Sequence, residues 1–352
     1  MKTAVVILNR NTREYLERWL PGLVSSCRDA EVIVADNASD DGSLEMLAAE
    51  FPDIRTISLD DNHGFTGGYN RALARVNAEY YVLINSDVRV NDGWLEPLVD
   101  WMDNHEECGI CGPKLHRLMP DGTCSDSFEY AGAAGGLIDR FGYPYCRGRV
   151  PGRTEKDYGQ YDKPREVMWV SGACLMTRSS LWERLGGLEE GFFAHMEEID
   201  YCWRAQLAGY RVNVVPQSTV WHLGGGTLSR SSAFKLKLNY RNNLLLLDRN
   251  LPATTGPSIA ARRIRIRKFL DLCSATVYLL CGRTSYFKAV LEAHREFKTI
   301  STGSRQTAAA GGRMRGTVYG YTDICIILQT IIRRKRIFEY LRKYEDYHRR
   351  CR

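Results

Sequence analysis

Residues 80–88, YYVLINSDV, run through five apolar positions and stop at Asn85-Ser86-Asp87. A short run of aromatic and β-branched residues closed by polar turn-formers predicts a buried strand. Strands of this kind belong inside open parallel sheets, and ligands bind outside the carboxyl ends of such strands. Asp87 is therefore expected at the mouth of a sheet. A carboxylate there can hold a hard divalent cation, and the cation can hold a diphosphate. The same residues would also serve as a plain strand-ending turn, so the reading depends on what surrounds them.

The surroundings repeat the pattern. TAVVILN (3–9), EVIVAD (31–36) and residues 54–59 predict three further strands. Between them, residues 13–27 carry Leu16, Trp19, Leu20 and Leu23 at helical spacing, and residues 43–50 form a second helix behind a polar loop. HGFTGGYN (63–70) leads into a helix through Ala72, Leu73 and Val76. Strands alternating with helices imply right-handed βαβ units and an α/β fold built on a mostly parallel sheet flanked by helices. Residues 112–165 are rich in Gly, Pro, Asp and Tyr and are expected to be an irregular insertion. Residues 167–176 and 210–215 predict strands, 179–185 a short helix, and 186–204 a loop that becomes a helix. From Ala233 the pattern is helical, broken by a linker at 301–312.

Charge is unevenly spread along the 352 residues. Residues 258–352 hold 21 Lys and Arg against 7 Asp and Glu, while residues 1–257 hold 27 against 35. A basic tail on an acidic body suggests an anionic partner, membrane surface or nucleic acid. No apolar run approaches the ~18 residues that span a bilayer, and no signal peptide opens the chain. The 11 cysteines form no repetitive framework, and Cys108 and Cys111 make a single CxxC without a second pair. That points to a reducing compartment rather than to disulfides or structural zinc.

Two familiar nucleotide motifs are excluded. Arg10-Asn11-Thr12 follows the first strand where GxGxxG would stand, and there is no GxxxxGK[ST]. Gly64, Gly67 and Gly68 could instead let a ligand approach the backbone closely, or merely make a turn. Asp36-Asn37 ends the second strand as Asp87 ends the fourth, so both carboxylates could line one cleft; a helix cap and a turn are the plainer alternatives. Glu197, Glu198 and Asp200 crowd together beside Phe192, Phe193 and Trp203. On a helix Glu197 and Asp200 share a face, with Arg204 four residues beyond Asp200 in position to neutralise it, while Glu198 projects elsewhere. An acid among large aromatics can have a raised pKa and act as a general base; acids at a helix N-terminus also complement its dipole. His222 follows a strand and precedes Leu223-Gly224-Gly225-Gly226, which lets something come close.

In order, VVILNRN, VADNASDDGS, NHGFTGGYN, LINSDV, SGACLMTRSSLWERLGGLEEGFFAHMEEIDYCWRA and WHLGGGT resemble the family 2 inverting glycosyltransferases with a GT-A fold. The branch most resembled is the rhamnosyltransferase-like one of bacterial surface-polysaccharide synthesis. The likeness spans roughly residues 3–250. It implies a donor set of Asn9, Asp36, Asn37, Gly64, Gly67, Gly68, Asn70, Asn85 and Ser86, with Asp36 at the base. It implies Asp87 and His222 at a Mg²⁺ or Mn²⁺ ion, and Trp169, Ser171 and Gly172 beside the transferred sugar and acceptor. Asn85 stands where the family's DxD-type motif begins with Asp. Glu198 stands where its catalytic aspartate falls, with Asp200 and Glu197 as rivals.

The resemblance implies a GT-A catalytic domain over 1–230, with a nucleotide-sugar half at about 1–110 and an acceptor half at about 111–230. Residues 231–352 would form a basic helical extension. The implied reaction moves a sugar from dTDP-rhamnose or a UDP-sugar to a glycan or lipid-linked acceptor. The expected place is cytoplasmic, peripheral on the inner face of the cytoplasmic membrane, with no nucleic-acid partner. A sugar nucleotidyltransferase would carry a glycine-rich basic loop after the first strand, which is absent. A non-catalytic nucleotide-sugar binder would not need the acid cluster.

Overall fold

The computed structural model describes residues 1–224, 232–308 and 318–350. The chain opens β1 (Thr3–Asn9), α1 (Arg13–Ser25), β2 (Ala30–Asp36), α2 (Ser43–Glu50), β3 (Arg55–Ser58), α3 (Gly64–Leu73) and β4 (Tyr80–Asn85). Short β5 (Val88–Arg89), α4 (Glu96–Asn104), β6 (Cys108–Leu118) and β7 (Cys124–Phe128) follow. A separate four-stranded sheet holds β8 (Gly136–Ile138), β9 (Pro144–Cys146), β10 (Arg149–Val150) and β11 (Arg153–Thr154). Then come β12 (Arg165–Glu166), β13 (Cys174–Arg178), α5 (Ser179–Leu185), α6 (Glu197–Leu207) and β14 (Arg211–His222). Five helices follow: α7 (Ala233–Thr255), α8 (Pro257–Leu280), α9 (Thr284–Ala308), α10 (Ile326–Arg333) and α11 (Ile337–Arg350).

The main sheet has the order β12-β14-β6-β13-β4-β1-β2-β3. β1 pairs in parallel with β2 and β4, and β2 with β3. β13 lies antiparallel between β4 and β6, and β14 is parallel to β6. Six strands therefore run one way, and the carboxyl ends of β1, β2 and β4 share an edge with the entry to β13. Alternate side chains of β1 go to opposite layers, Ala4 and Val6 to one and Val5 and Ile7 to the other. The first layer is closed by Tyr69, Ala72 and Leu73 of α3 and by α6 and α7; the second by Leu16, Leu20 and Leu23 of α1 with α2 and α4. This is the predicted α/β architecture.

Four expectations need correcting. Residues 112–165 are not an irregular insertion. They contain most of β6, an interior strand, and the whole second sheet. HGFTGGYN is not a loop before a helix; its glycines are the first turns of α3. Residues 167–173 are not strand, because β13 begins only at Cys174. Residues 210–215 and 220–222 form one strand, β14, with register shifts against β6.

The helices after residue 232 share the core of the amino-terminal body. Leu244 to Leu247 and Leu251 of α7, Ala260 of α8 and Phe297 of α9 join the same layer as Trp169 and Trp203. Leu137, Tyr145 and Val150 of the small sheet form another cluster with Ile324, Ile326, Ile337, Phe338 and Leu341. Asp139 fastens that contact, its carboxylate accepting from the Ile326 N–H at 2.9 Å. The basic run in α8 is partly turned inward: Arg267 is buried against Asp271 at 2.7 Å and Arg263 pairs with Asp323 at 2.8 Å. Arg262 and Arg265 remain exposed. Residues 309–312 of the expected linker lie outside the described residues.

Candidate active site

A cavity of about 670 Å³ opens along the shared strand edge. Asn37, Asn62 and Gly64 line one part of it, Asn85, Ser86, Asp87 and His222 another, and Trp169, Ser171, Gly172, Glu197 and Glu198 a third. That size is ordinary for a small-molecule site.

The end of β4 delivers Asp87 and the end of β14 delivers His222, because His222 pairs with Val88 of β5. His222 Nε2 lies 3.2 Å from Asp87 Oδ1, and its Nδ1 lies 3.7 Å from Glu129 Oε2. All three side chains are buried. Burial works against a charged imidazole, but Asp87 and Glu129 outweigh it and raise its pKa to about 10. Burial likewise opposes the Asp87 charge, yet His222 holds the carboxyl below its usual range. Without an ion, the centre is thus an imidazolium between two carboxylates.

The geometry also suits a cation. Two ligands on adjacent corners of an octahedral Mg²⁺ shell lie roughly 3 Å apart, close to the observed Asp87–His222 spacing. Glu129 on the far imidazole nitrogen would orient the ring, as partners of metal-binding histidines do. Ion binding would displace the imidazole proton. Among the described residues no group of three or more His, Cys, Asp and Glu is arranged to hold an ion. The chain would supply two ligands and leave the others to phosphate and water, a common arrangement for Mg²⁺. Gly225 and Gly226, beyond His222, lie outside the described residues.

Glu197, Glu198 and Asp200 occupy the first turn of α6 and have three different fates. Asp200 is fully buried and spent: Arg204 Nε donates to it at 2.7 Å, Asn250 Nδ2 at 2.7 Å, and Arg249 stands 3.5 Å away. Despite burial, these cations hold its pKa down. Glu197 is buried, and burial together with Glu198 pushes its pKa well up. Glu198 is half-buried and lies beside Gly172, and burial raises its pKa to about 7. Among the described residues, one carboxylate oxygen of each glutamate, Oε2, is buried without a hydrogen-bond partner.

The approach to α6 is backbone under strain. Phe193, His195 and Met196 have φ of 63°, 72° and 74°. Left-handed backbone at non-glycine residues costs about 1–3 kcal/mol each. α7 holds it in place. Asn242 Nδ2 faces the carbonyls of Phe192, Ala194 and His195 at 2.9, 2.8 and 2.7 Å, and Arg241 donates to Gly191 and Phe192. On the other side the Phe193 carbonyl accepts from the N–H groups of Phe65 and Thr66 in α3. The loop thereby ties the glycine-rich helix to the acid-bearing helix.

Several residues expected at the ligand are engaged elsewhere. Asp36 is fully buried, bonded to Asn9 at 2.7 Å and to the Ser39 N–H at 2.8 Å, and neither Asp36 nor Asn9 lines the cavity. Asn70 clasps both the N–H and the carbonyl of Leu188. A Cβ at Gly68 would strike Leu8 at 2.8 Å, and one at Gly67 would strike Arg71 and His63. Those glycines permit internal packing of α3. Gly64, with φ of 69°, does line the cavity and abuts Phe193. Trp169 is fixed through its Nε1, which donates to the Leu137 carbonyl at 3.1 Å. Residues that sequence reasoning missed include Glu129, Asn242, Arg10 and Arg149. Only Arg10, directly after the first strand, carried a positional signal.

The family model described as Glycosyl transferase family 2 matches residues 4–185. The N-acetylglucosaminyl-diphospho-decaprenol L-rhamnosyltransferase of Mycobacterium tuberculosis (strain ATCC 25618 / H37Rv) is 27% identical over 258 residues, covering 69% of this chain and 83% of that protein. Rhamnosyltransferase WbbL of Escherichia coli (strain K12) is 24% identical over 221 residues, covering 60% of this chain and 80% of its own. Among solved structures, GalNAc-T7 with UDP, GalNAc and Mn²⁺ superposes with TM-score 0.56 at 15% identity, covering 71% of this chain and 48% of that one. At that identity the likeness shows the fold alone.

Proposed function

The chain belongs to glycosyl transferase family 2, and from that premise we propose that it moves a sugar, with inversion, from a nucleoside-diphosphate donor to a hydroxyl of a lipid-linked glycan. Its activity as a glycosyltransferase follows from the family and from the relatives that carry that activity in their names. The observation that carries the finer reading is that one cavity holds the Asp87–His222 pair and a half-buried Glu198 with no cation in ion-pair reach among the described residues.

Glu198 is the base. It takes the proton from the acceptor hydroxyl as that oxygen attacks the anomeric carbon, and the nucleoside diphosphate leaves from the opposite face. A pKa near 7 suits this role, because the group is basic enough to accept the proton and still largely ionised just above neutrality. Asp200 is already neutralised by Arg204 and Arg249, and it holds α6 rather than substrate. Asp87 and His222 hold Mg²⁺ or Mn²⁺, which when bound stabilises charge on the leaving phosphate. GalNAc-T7 was solved with Mn²⁺ and UDP, which supports a divalent ion here. Asn37 and Asn62 sit where a nucleobase or ribose would be read, and Trp169, Ser171 and Gly172 flank the transferred sugar. The relatives' names favour rhamnose as the transferred sugar, and one of them a diphospholipid-linked N-acetylglucosamine as acceptor; dTDP-rhamnose is the donor we propose. A thermal-shift screen of nucleotide sugars with and without Mn²⁺ tests this: the donor should raise Tm, and more so with the ion. Equal response to every nucleotide sugar, or none, would remove the donor assignment.

The carboxyl-terminal helices support attachment to an anionic membrane face. No helix among the described residues is long and apolar enough to cross a bilayer. However, Ile327, Leu328, Ile331 and Ile332 are exposed on α10, at i, i+4 spacing, and run into the exposed Arg333, Arg334, Lys335 and Arg336. Phe269, Leu272, Val277 and Leu280 are exposed on α8. Apolar stripes beside basic clusters lie on anionic lipid. In flotation assays the protein should rise with anionic vesicles and far less with neutral ones. Equal flotation with both would exclude the electrostatic contribution.

A further inference from the structure

Arg149 lines the same cavity as Glu198, at the start of β10 in the small sheet. It is 8% exposed. Among the described residues no carboxylate lies within ion-pair distance of it, whereas nearby Arg147 pairs with Glu345 at 3.2 Å. Among those residues the one hydrogen bond of its side chain runs from Nη1 to the Pro144 carbonyl, 2.9 Å. Its guanidinium lies over the Tyr130 ring, 3.8 Å from the centroid, and its Nε is buried without a partner among the described residues. A guanidinium carries five N–H donors, so most of its capacity is unspent. A buried charge without a partner is costly, and a bound anion removes the cost. Stacking on Tyr130 fixes the plane of the fork, which suits two-point recognition of a phosphate.

The position of Arg149 favours the acceptor side. Tyr130 and Pro144 line the cavity with it, and Tyr130 is half exposed. Buried Cys146, its partner in the β9–β10 pairing, lies close enough to feel the charges of Arg149, Glu129 and Glu198 together. Asn37 and Asn62, where the nucleoside would be read, belong to loops after β2 and β3 instead.

We propose that Arg149, stacked on Tyr130, binds an anionic phosphate of the acceptor and so selects acceptors whose sugar is carried on a phosphate or diphosphate. This rests on the glycosyl-transfer reading above. Phosphate chemistry is shared with the donor, so the experiment separates the two sources. The protein is first saturated, in excess Mg²⁺, with whichever of UDP, dTDP or GDP it binds best. It is then titrated with inorganic pyrophosphate, and Tm is followed. The expected result is a further saturable rise in Tm with nucleotide already bound. Arg149→Gln should weaken it roughly 10–100-fold, the worth of a charged hydrogen-bonded contact, with nucleotide affinity unchanged. Arg149→Lys, which keeps the charge and loses the fork, should fall between. If pyrophosphate acts only when nucleotide is absent, and Arg149→Gln weakens nucleotide instead, Arg149 serves the donor and the proposal fails. An identical response in wild type and both variants, or no response, also overturns it. Should the wild type bind none of the three nucleotides, the donor reading is at fault, and dependence of pyrophosphate binding on Arg149 still decides the anion site.

Discussion

The cavity sets two groups of buried acids at different points and treats them oppositely. Around β4 and β14, Asp87 and Glu129 enclose His222, and every charge has a counter-charge. At the head of α6, no cation stands within ion-pair distance of Glu197 or Glu198 among the described residues, and burial drives both toward the neutral acid. The first arrangement stabilises ionised carboxylates and is suited to exchanging a proton for a cation. The second withholds a counter-charge from a carboxylate, which is what the proposed proton transfer from substrate needs. Asp200 makes the contrast sharper, because two residues beyond Glu198 in the same helix turn it is clamped by Arg204, Arg249 and Asn250. What decides a carboxylate's role here is its counter-charge rather than its burial, since Asp87, Glu129, Glu197 and Asp200 are all buried.

The comparison can be broken first at its charged end. Asp87→Ala should reduce transfer by about 10⁴-fold or more, matching the several kcal/mol a Lewis-acid cation supplies, and EDTA should silence the wild type. Undiminished turnover in EDTA would rule out the cation. At the uncharged end, Glu198→Gln keeps the shape and loses the basicity. The chemical step should slow roughly 10²–10⁴-fold with donor affinity nearly unchanged. If that variant transfers sugar normally while a folded Asp200→Asn is inactive, the roles are reversed.

Asp200→Asn should act on the fold instead. Removing one partner of a buried ion pair costs about 3–5 kcal/mol, visible as a lower urea midpoint. Activity per folded molecule should stay within a few-fold of wild type. The smallest effect is on pH dependence. Glu198 has a folded pKa of about 7 against an ordinary 4.5, so between those values the folded protein binds the extra proton. Its contribution to stability is present below pH 4.5 and is lost as pH rises through 7. Activity should rise over the window in which this stability is lost. Relative to wild type, Glu198→Gln should gain a few degrees of Tm at pH 8.5 and little at pH 4.5. Parallel Tm curves for the two proteins would show that Glu198 is not held neutral.

The α/β alternation was legible because β1, β2 and β4 are dense in apolar residues and end in Asn9, Asp36 and Asn85. β6 was not. Its sequence, CGICGPKLHRL, has two glycines, a proline, a lysine and a histidine in a buried strand. Gly109 is needed because Leu181 and Tyr210 press against it, and Gly112 because Val170 does. Lys114 is tolerated because Asp157 and Asp162 reach it at 2.5 and 2.6 Å. Those partners lie more than forty residues away and leave no periodic trace. The acid-bearing end of the site was legible from crowding of acids beside aromatics and from Arg204 at i, i+4 to Asp200. Glu129 was not, since only the fold brings it to His222. The surroundings of Asp36 were not legible either: its carboxylate at the strand end is taken up by Asn9 and the Ser39 N–H, which the sequence pattern does not show.

The clasp between Asn242 and the carbonyls of Phe192, Ala194 and His195 limits how this chain can be recombined. A hybrid joined near residue 230, keeping the amino-terminal body and importing another protein's carboxyl-terminal helices, would carry Glu198 on a loop whose left-handed turns no longer had their anchor. The smallest exchangeable piece on the acid side runs from the start of that loop through α7. In such grafts the loops after β2 and β3 can travel separately, but Glu198 must travel with the helix that restrains its loop.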